Sequence, residues 1–520
     1  MGLRRRATGP AAAGLLGVAL LALSLSAFGA GGMALAASDG PLVRIGINEK
    51  TAAVLVAVRG RAAAGQAALP VTERGAVVRL AGYAAAGPMS PSPWLPRAMA
   101  AEMRAAGLPA AVWAEPGGYR AAQGPLATVG EAAGAVETAH AAGLPAAVAA
   151  VADGRPEAPG IELATAEGRS TGVVGGPVGL TRAADSDLWV NGHRYRGEFF
   201  ATRDPQGLIS AVNRLPLEQY LRGVVPEEMP ASWPLEALKA QAVAARTYAL
   251  ANLGGFEKYG YDLSATVRSQ AYGGQDSETP STDAAVAGTR GLVATYAGKL
   301  ISTYYHAHGG GRTDSAADVW GFDRPYLKGT AETYEKPYPW YVVYTRRALE
   351  RTANGFLPSA TGKPGADVGT LLRVVPGRFT PGGRALDVTL TGTGGSYTVS
   401  SERLRGAVGA TRMKSIMYAV RSWPEVTFVG GRGGAPTGRF VARIGGVPSL
   451  ASVVRPGLGP PLPAVGRVPG LFVLEGQGYG HGIGMSQWGA YGMATRGFTF
   501  DRLLKHFYQG ITITPLTSGR

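Results

Sequence analysis

The 520-residue chain contains no cysteine and carries a formal net charge of +15. At about 100–200 residues per domain, this length predicts two to four folding units. The absence of cysteine excludes a disulfide scaffold, a thiol nucleophile and a cysteine-ligated metal centre. The positive charge favours anionic polymers, which include nucleic acid, acidic lipid and a cell wall that bears carboxylates and phosphates. Charge alone does not choose among these partners.

The first 37 residues predict export. Three arginines occupy positions 4–6, and no charged residue follows until Asp39. The apolar stretch from Leu15 to Phe28 and the small residues at 34–36 are typical of a signal peptide with a peptidase site. A segment of this kind is also almost long enough to stay in the bilayer as an anchor. We therefore expect an extracytoplasmic protein, in the cell wall or at the outer face of the cytoplasmic membrane, with cleavage or anchoring left open.

The next segments predict small β and αβ units. Residues 42–82 alternate short β-like runs with glycine-rich breaks, which predicts an N-terminal β segment. Between 83 and 152, a helix followed by a strand is repeated, with helices expected over 95–106 and 128–142. The repeat suggests a small pseudo-symmetric αβ domain. It resembles a SPOR domain, a module that binds glycan strands stripped of their peptides.

The rest of the chain predicts a linker and one large domain. Residues 153–173 include a proline-containing stretch that we interpret as a linker, and 174–515 form the expected catalytic domain. Many short β-like runs with a few helices, among them 215–221 and 234–250, predict an α+β fold.

Two adjacent carboxylates, Glu227 and Glu228, lie between two prolines in what we expect to be a loop. Apolar neighbours disfavour the ionised form of a carboxyl group. One of the two glutamates could therefore stay protonated near neutral pH, as a general acid requires. The alternative is a pair of solvated loop glutamates. The apolar neighbours are Val224, Val225, Met229 and Trp233.

The segment 222–247 resembles the sporulation stage II protein D family (SpoIID), whose domain is shared with the amidase-enhancer proteins of bacterial walls (LytB). It carries an Arg-Gly-Val-Val-x-x-Glu-Met-Pro run, then a Leu-Glu-Ala-Leu-Lys-Ala-Gln-Ala helix that ends in Ala-Ala-Arg-Thr. The resemblance continues in ordered blocks at 272–280, 305–313, 478–490 and 504–511.

The resemblance implies a peptidoglycan lytic transglycosylase, acting in sporulation, engulfment or wall remodelling. Such an enzyme cuts the MurNAc–GlcNAc bond without water and leaves a 1,6-anhydro end. The family's catalytic glutamate directly precedes Met-Pro, which makes it Glu228 here. One carboxyl can serve as acid and then as base, because the substrate's own C6 hydroxyl attacks C1, whereas an ordinary glycosidase needs two carboxylates. We expect no cofactor and no metal.

Eight further residues are candidate substrate contacts, each with a structural role as the alternative. Gln241 and Arg246 are five positions apart on one predicted helix, about 140° around its axis, so both cannot face Glu228. We expect one of them to contact sugar and the other to brace the catalytic loop. His481 lies among glycines, where a backbone can approach a ligand closely. The remaining candidates are Tyr305, His308, Arg312, Ser486 and Gln487.

A histidine pair could begin a metal site. His306 and His308 alternate along a predicted strand and would share a face. Asp314 and Asp318 are the nearby carboxylates that could complete such a site. Some members of the family carry a zinc site that includes cysteine ligands, and this chain has none. We therefore expect the pair to bind sugar or to pack.

Two functions from different classes remain open: a lytic transglycosylase, and a wall-binding amidase enhancer that cuts nothing itself. Expected partners are peptidoglycan glycan strands and a wall amidase of the SpoIIP type, with the membrane as a third if the leader is kept. The charge would permit nucleic-acid binding, but the export signal and the lack of a nucleic-acid motif argue against it.

Overall fold

The computed structural model describes residues 39–516 except 52, 60–61, 64–75, 81–82, 87–89, 91–93, 109, 116–117, 127–128, 146, 151–160, 166–169, 175–177, 183–186, 204–208, 430–440, 445–446 and 449–465. The predicted leader, residues 1–37, lies outside the described residues. None of the helices within the described ranges combines the length and the apolar character that a bilayer span requires.

The chain divides into two compact units. The first comprises residues 1–227 and 252–278, and the second comprises 228–251 and 279–520. The division falls between Glu227 and Glu228. The predicted linker, 153–173, lies within the first unit, and much of it is outside the described residues.

The first unit is built mainly from short strands. Its described strands are β1 (Leu42–Thr51), β2 (Ala53–Arg59), β3 (Ala62–Ala63), β4 (Ala76–Leu80), β5 (Tyr83–Ala86), β6 (Ala110–Glu115), β7 (Gly118–Leu126), β8 (Ala147–Ala150), β9 (Ile161–Thr165), β10 (Ser170–Val174), β11 (Val178–Arg182), β12 (Asp187–Val190), β13 (His193–Tyr195), β14 (Glu198–Arg203), β15 (Ile209–Pro216) and β16 (Leu263–Ser264). They form two six-stranded sheets in the orders β16-β1-β15-β14-β11-β3 and β10-β9-β4-β2-β12-β13. A four-stranded sheet has the order β6-β7-β5-β8.

The four-stranded sheet belongs to the predicted αβ domain. Helices α1 (Trp94–Ala105) and α2 (Val129–Ala141) lie within one residue of their expected bounds. Each ends at a glycine with positive φ, Gly107 and Gly143. The residue after each glycine donates its N–H to a carbonyl five positions back, the helix-ending arrangement that glycine permits. The repeated sequence thus specifies a repeated helix end, while the SPOR likeness stays a prediction.

Helix α3 (Leu217–Glu228) corrects one expectation. The predicted short helix at 215–221 extends to Glu228, so the two glutamates occupy its last turn and the expected loop is wrong. Pro226 lies inside the helix, but so close to its end that the missing N–H disturbs only the final turn. Gly223 is required because a Cβ there would lie 2.6 Å from the ring of Tyr272.

The second unit combines helices with several small sheets. Its described helices are α4 (Leu235–Ala251), α5 (Pro280–Ala287), α6 (Ala316–Trp320), α7 (Arg346–Thr361), α8 (Ser401–Val408), α9 (Gln487–Ala494) and α10 (Phe500–Phe507). Its described strands are β17 (Leu292–Tyr296), β18 (Lys299–Leu300), β19 (Tyr305–His306), β20 (Pro339–Thr345), β21 (Leu371–Pro376), β22 (Asp387–Gly392), β23 (Gly395–Ser400), β24 (Tyr418–Val429), β25 (Val441–Ile444), β26 (Val447–Pro448), β27 (Gly466–Gln477), β28 (Met485–Ser486) and β29 (Thr512–Pro515). With helices and several sheets in both units, the predicted α+β fold is confirmed.

One short parallel pair determines where the predicted motifs meet in the second unit. Strands β19 and β28 pair so that Tyr305 lies opposite Met485 and His306 opposite Ser486. The N–H of Trp488 then donates to the carbonyl of Ala307 at 3.0 Å. Helix α9 therefore begins at a fixed position beside β19, although the paired residues Tyr305 and Met485 are 180 positions apart in the chain.

Candidate active site

Glu228, the last residue of α3, is half-buried and makes a defined polar contact in the second unit. Its Oε2 accepts a hydrogen bond from Nε2 of Gln487 at 3.3 Å. Glu227, by contrast, is exposed, and its carboxylate accepts from the hydroxyl of Ser277. The two adjacent glutamates thus have different partners, and only Glu228 is held beside the Gln487 segment.

Helix α4 supplies two more polar groups to this site. Gln241 is fully buried, and its Oε1 lies 3.5 Å from Nε2 of Gln487. Its own Nε2 has no hydrogen-bond partner in the described part of the chain. Tyr248 follows seven positions later, which places it on the same face of the helix. Burial, with smaller contributions from Tyr304 and Glu228, raises the pKa of Tyr248 to about 12, so its hydroxyl remains a proton donor at neutral pH.

Arg246 points elsewhere. It is fully buried, and its guanidinium donates to the carbonyls of Leu292 at 3.1 Å and Val286 at 3.4 Å. It therefore ties α4 to β17 and to the end of α5. As the helical spacing predicts, Gln241 and Arg246 face different neighbours, and this placement favours bracing for Arg246.

The start of α9 is held by a buried carboxylate that the sequence did not single out. Ser486 caps the helix by accepting from the N–H of Gly489, and its hydroxyl donates to Glu335 at 2.6 Å. The Glu335 side chain is 1% exposed and also accepts from the backbone of Gly309 and Gly311. Glu335 thereby positions the helix that carries Gln487.

His308 belongs to the same network. Its Nδ1 lies 3.1 Å from Glu335, and its Nε2 lies 2.6 Å from the carbonyl of Lys336. Both His308 and Ser486 are buried and bonded within the protein. These placements favour a structural role, and the predicted sugar contacts of the two residues gain no support from them.

Glu332 makes the stability of this region depend on pH. Glu332 is buried. Its Oε2 packs against α9, so that a Cβ added to Gly489 would lie 2.4 Å from this oxygen. Nε2 of His506 lies 3.9 Å from the same oxygen. Burial raises the pKa of Glu332 to about 7, and the charge of Glu335 adds to the effect. The backbone N–H groups of Tyr334 and Glu335 and the charge of Arg496 oppose it. The folded state thus keeps a proton that the unfolded chain releases near pH 4.5.

We expect the free energy of unfolding to fall as the pH rises from about 4.5 to 7, because the unfolded state then binds fewer protons. The Glu332→Gln variant keeps the acceptor for Tyr334 but cannot ionise. It should remove this decline and gain up to about 3 kcal/mol above pH 7 relative to the parent. Denaturant unfolding at several pH values measures the effect. Glu402→Gln, at an exposed position of α8, is the control. An unchanged pH slope in Glu332→Gln would contradict the assignment.

The histidines of the glycine-rich blocks form a neutral cluster. Nδ1 of His481 accepts from the N–H of Ile483, so Nε2 donates to the carbonyl of Tyr305 at 2.9 Å. Burial lowers the pKa of His481 to about 4. Burial first, and then His481 and Arg384, hold the pKa of His306 well below its usual value. The two rings lie 5.3 Å apart, so both imidazoles are uncharged near neutral pH.

The predicted metal carboxylates have other partners. Asp314 is buried against Arg384, and Asp318 accepts from the hydroxyl of Ser315 at the start of α6. No group of three or more potential ligands is placed to hold a metal ion among the residues that the structure describes. Tyr305 is half-buried, with its ring 6.5 Å from that of Tyr248, while Arg312 is exposed.

Sequence reasoning named Trp233 only as an apolar neighbour of the glutamates, and it missed Trp488, Tyr491 and the buried Glu335. Trp233, Trp488 and Tyr491 have ring centroids 4.8 to 5.4 Å apart. The i, i+3 spacing of Trp488 and Tyr491 on a helix could have indicated that the two rings share a face. The i, i+7 spacing of Gln241 and Tyr248 could likewise have placed Tyr248, which was also missed, on the face of Gln241. Glu335 had no local signal, because its partners come from three separate segments.

The chain is similar in sequence to several known proteins. A family model described as Stage II sporulation protein (SpoIID) matches residues 206–296, which contain Glu228, Gln241 and Tyr248. An uncharacterized protein of Brachyspira hyodysenteriae is 29% identical over 338 residues, 64% of this chain and 76% of that protein. Stage II sporulation protein D of Bacillus amyloliquefaciens is 28% identical over 323 residues, 59% of this chain and 77% of that protein.

The amidase enhancer of Bacillus subtilis is 30% identical over 307 residues, which cover 56% of this chain and 40% of that protein. The chain thus matches less than half of the amidase enhancer. The matched family model and these relatives indicate a sporulation or cell-wall protein. Within that class, residues 206–296 match the SpoIID family model, and the chain is similar to stage II sporulation protein D.

Proposed function

We propose that this protein is a peptidoglycan lytic transglycosylase that cleaves MurNAc–GlcNAc bonds in denuded glycan strands, with Glu228 as its acid and base. One observation carries the proposal: a single half-buried carboxylate, Glu228, lies beside buried amide groups, while its neighbour Glu227 is exposed and bonded elsewhere. Three neutral polar side chains lie near Glu228, namely Gln241, Tyr248 and Gln487.

In the proposed reaction the Glu228 carboxyl acts twice, first as the acid and then as the base. Glu228 gives its proton to the glycosidic oxygen as the bond from C1 to that oxygen breaks. The C6 hydroxyl of the same MurNAc attacks C1, the 1,6-anhydro ring closes, and the hydroxyl proton returns to the Glu228 carboxylate. Gln487 hydrogen-bonds Oε2 and so orients the carboxyl between the two proton transfers. The intramolecular attack gains from proximity and consumes no water.

Mass analysis of the products from purified, peptide-free glycan strands tests this function. We expect fragments that end in 1,6-anhydroMurNAc. Reducing ends would instead show a hydrolase and contradict the proposal. The absence of products, together with binding to the strands, would favour the second candidate.

That second candidate is a non-catalytic amidase enhancer, and the name of the Bacillus subtilis relative favours it. In that case the protein would bind peptidoglycan and increase the activity of a separate wall amidase. For both functions we propose an extracytoplasmic location at the cell wall or membrane, where the glycan substrate lies. The basic composition suits this anionic wall polymer.

A further inference from the structure

Three aromatic side chains form an apolar cluster near the Glu228 segment, with their ring planes inclined by 54° to 68° to one another. Trp233 lies in the short connection between Glu228 and α4, and Trp488 and Tyr491 lie on one face of α9. The centroid of Trp233 is 4.8 Å from that of Trp488 and 5.0 Å from that of Tyr491. The Trp488 and Tyr491 rings are 5.4 Å apart. We call these three rings the aromatic platform.

The aromatic platform is attached to the same backbone as the polar groups of the site. Trp488 directly follows Gln487, whose Nε2 bonds Glu228 at 3.3 Å. Two hydrogen bonds hold the connection that carries Trp233. The backbone N–H of Trp233 donates to the carbonyl of Pro230, and the hydroxyl of Ser281 donates to the carbonyl of Ala231. The platform and the carboxyl therefore keep a constant relation within the second unit.

Part of the platform is exposed to solvent in the described part of the chain. Trp488 remains 40% exposed, while Trp233 and Tyr491 are half-buried. Leu235, two residues after Trp233, is 45% exposed. Rigid aromatic area left in water next to convergent polar groups is typical of ligand sites. A tryptophan that served only the core would bury both faces of its indole.

We infer that the aromatic platform is a sugar subsite, on which the pyranose next to the cleaved bond stacks its C–H face. A pyranose has a flat C–H face and a rim of hydroxyls. A sugar ring stacked on an aromatic side chain therefore removes this apolar face from water, while its hydroxyls stay hydrated. The three rings contribute no charge, which suits N-acetylated sugars better than a peptide carboxylate. This inference rests on the proposed function, because it takes the glycan strand as the substrate of Glu228.

The test measures binding of a MurNAc–GlcNAc tetrasaccharide to the full chain, with the Glu228→Gln change in every variant so that the ligand is not consumed. Adding Trp488→Ala should weaken binding about tenfold, and adding Trp488→Phe should recover most of the loss because a flat ring is restored. Phe379→Ala removes another aromatic side chain, 57% exposed, and should leave binding unchanged. Unfolding midpoints of all variants show whether each one is folded.

Unchanged binding by Trp488→Ala would overturn the subsite, and so would a Trp488→Phe variant that binds as weakly as Trp488→Ala. The outcome is separate from that of the catalytic proposal. If the enzyme releases no anhydro products but the tetrasaccharide binds in a Trp488-dependent way, the catalytic proposal fails and the subsite stands. If products form but binding does not depend on Trp488, the subsite fails alone.

Discussion

The Glu228→Gln variant should release almost no fragments that end in 1,6-anhydro sugar, while it still binds purified cell walls. Glutamine keeps the size of the side chain and its acceptor for the amide of Gln487, but it can neither donate nor accept the catalytic proton. General acid–base catalysis typically contributes about 10²–10⁴-fold, and here one carboxyl performs both transfers. Timed mass analysis of peptide-free glycan strands measures the rate.

Glu227→Gln is the matched control, because it makes the same chemical change one residue earlier. The Glu227 carboxylate is exposed and is bonded to Ser277 in the first unit. We expect this variant to keep the parent rate of anhydro release. Release by Glu228→Gln at the parent rate would remove Glu228 from the mechanism. If both variants lost the same fraction of anhydro release, the cause would be a disturbed end of α3 and not the loss of the Glu228 carboxyl group.

The fold could be predicted from sequence where local rules apply. In the αβ domain at 83–150, the glycines at 107 and 143 set the ends of α1 and α2. Helix α4 begins at Leu235 directly after Pro234, as its sequence predicts. The expectation at α3 was wrong, since the residues between Pro226 and Pro230 were predicted to form a loop, whereas the helix continues to Glu228. Burial of the apolar residues of α3 outweighed one lost hydrogen bond.

The site was predictable in its types of residue but not in its connections. The family motif pointed to Glu228, Gln241 and Gln487, and these three meet in the structure. Their meeting depends on the β19–β28 pairing, which joins segments about 180 residues apart, and no local pattern specifies such a register. For the same reason, no sequence signal separated buried residues such as His308 from residues that face a ligand.

Arg384 is a buried residue whose role the sequence did not indicate. Of the substitutions considered for stability, its replacement should lower the free energy of unfolding most. Its side chain is fully buried and pairs with Asp314, which is 1% exposed. It also donates to the carbonyls of Arg312 and Gly309 at 3.1 and 2.6 Å. Asp314 in turn accepts from Thr380 and from the N–H of Gly382. The pair thus joins two loops that are separate in sequence.

A third segment packs directly against this pair. A Cβ on Gly482 would lie 2.0 Å from the Arg384 guanidinium, so only glycine fits at that position. The N–H of Asp314 also donates to the carbonyl of Gly482 at 2.8 Å. Gly482 leads into β28 and α9. Arg384 therefore supports the backbone that carries Gln487, although it lies in none of the family motifs.

Arg384→Met should lower the free energy of unfolding by about 3–5 kcal/mol, because it leaves the buried Asp314 carboxylate without its counter-charge. Denaturant unfolding at neutral pH measures the loss. Arg421→Met is the matched control: Arg421 pairs with Glu475 on the surface of the same unit, where a salt bridge contributes about 1 kcal/mol or less. Adding Asp314→Asn to Arg384→Met should restore part of the loss, because the unpaired charge is then absent. If Arg384→Met were no more destabilising than Arg421→Met, the pair would not hold these loops together.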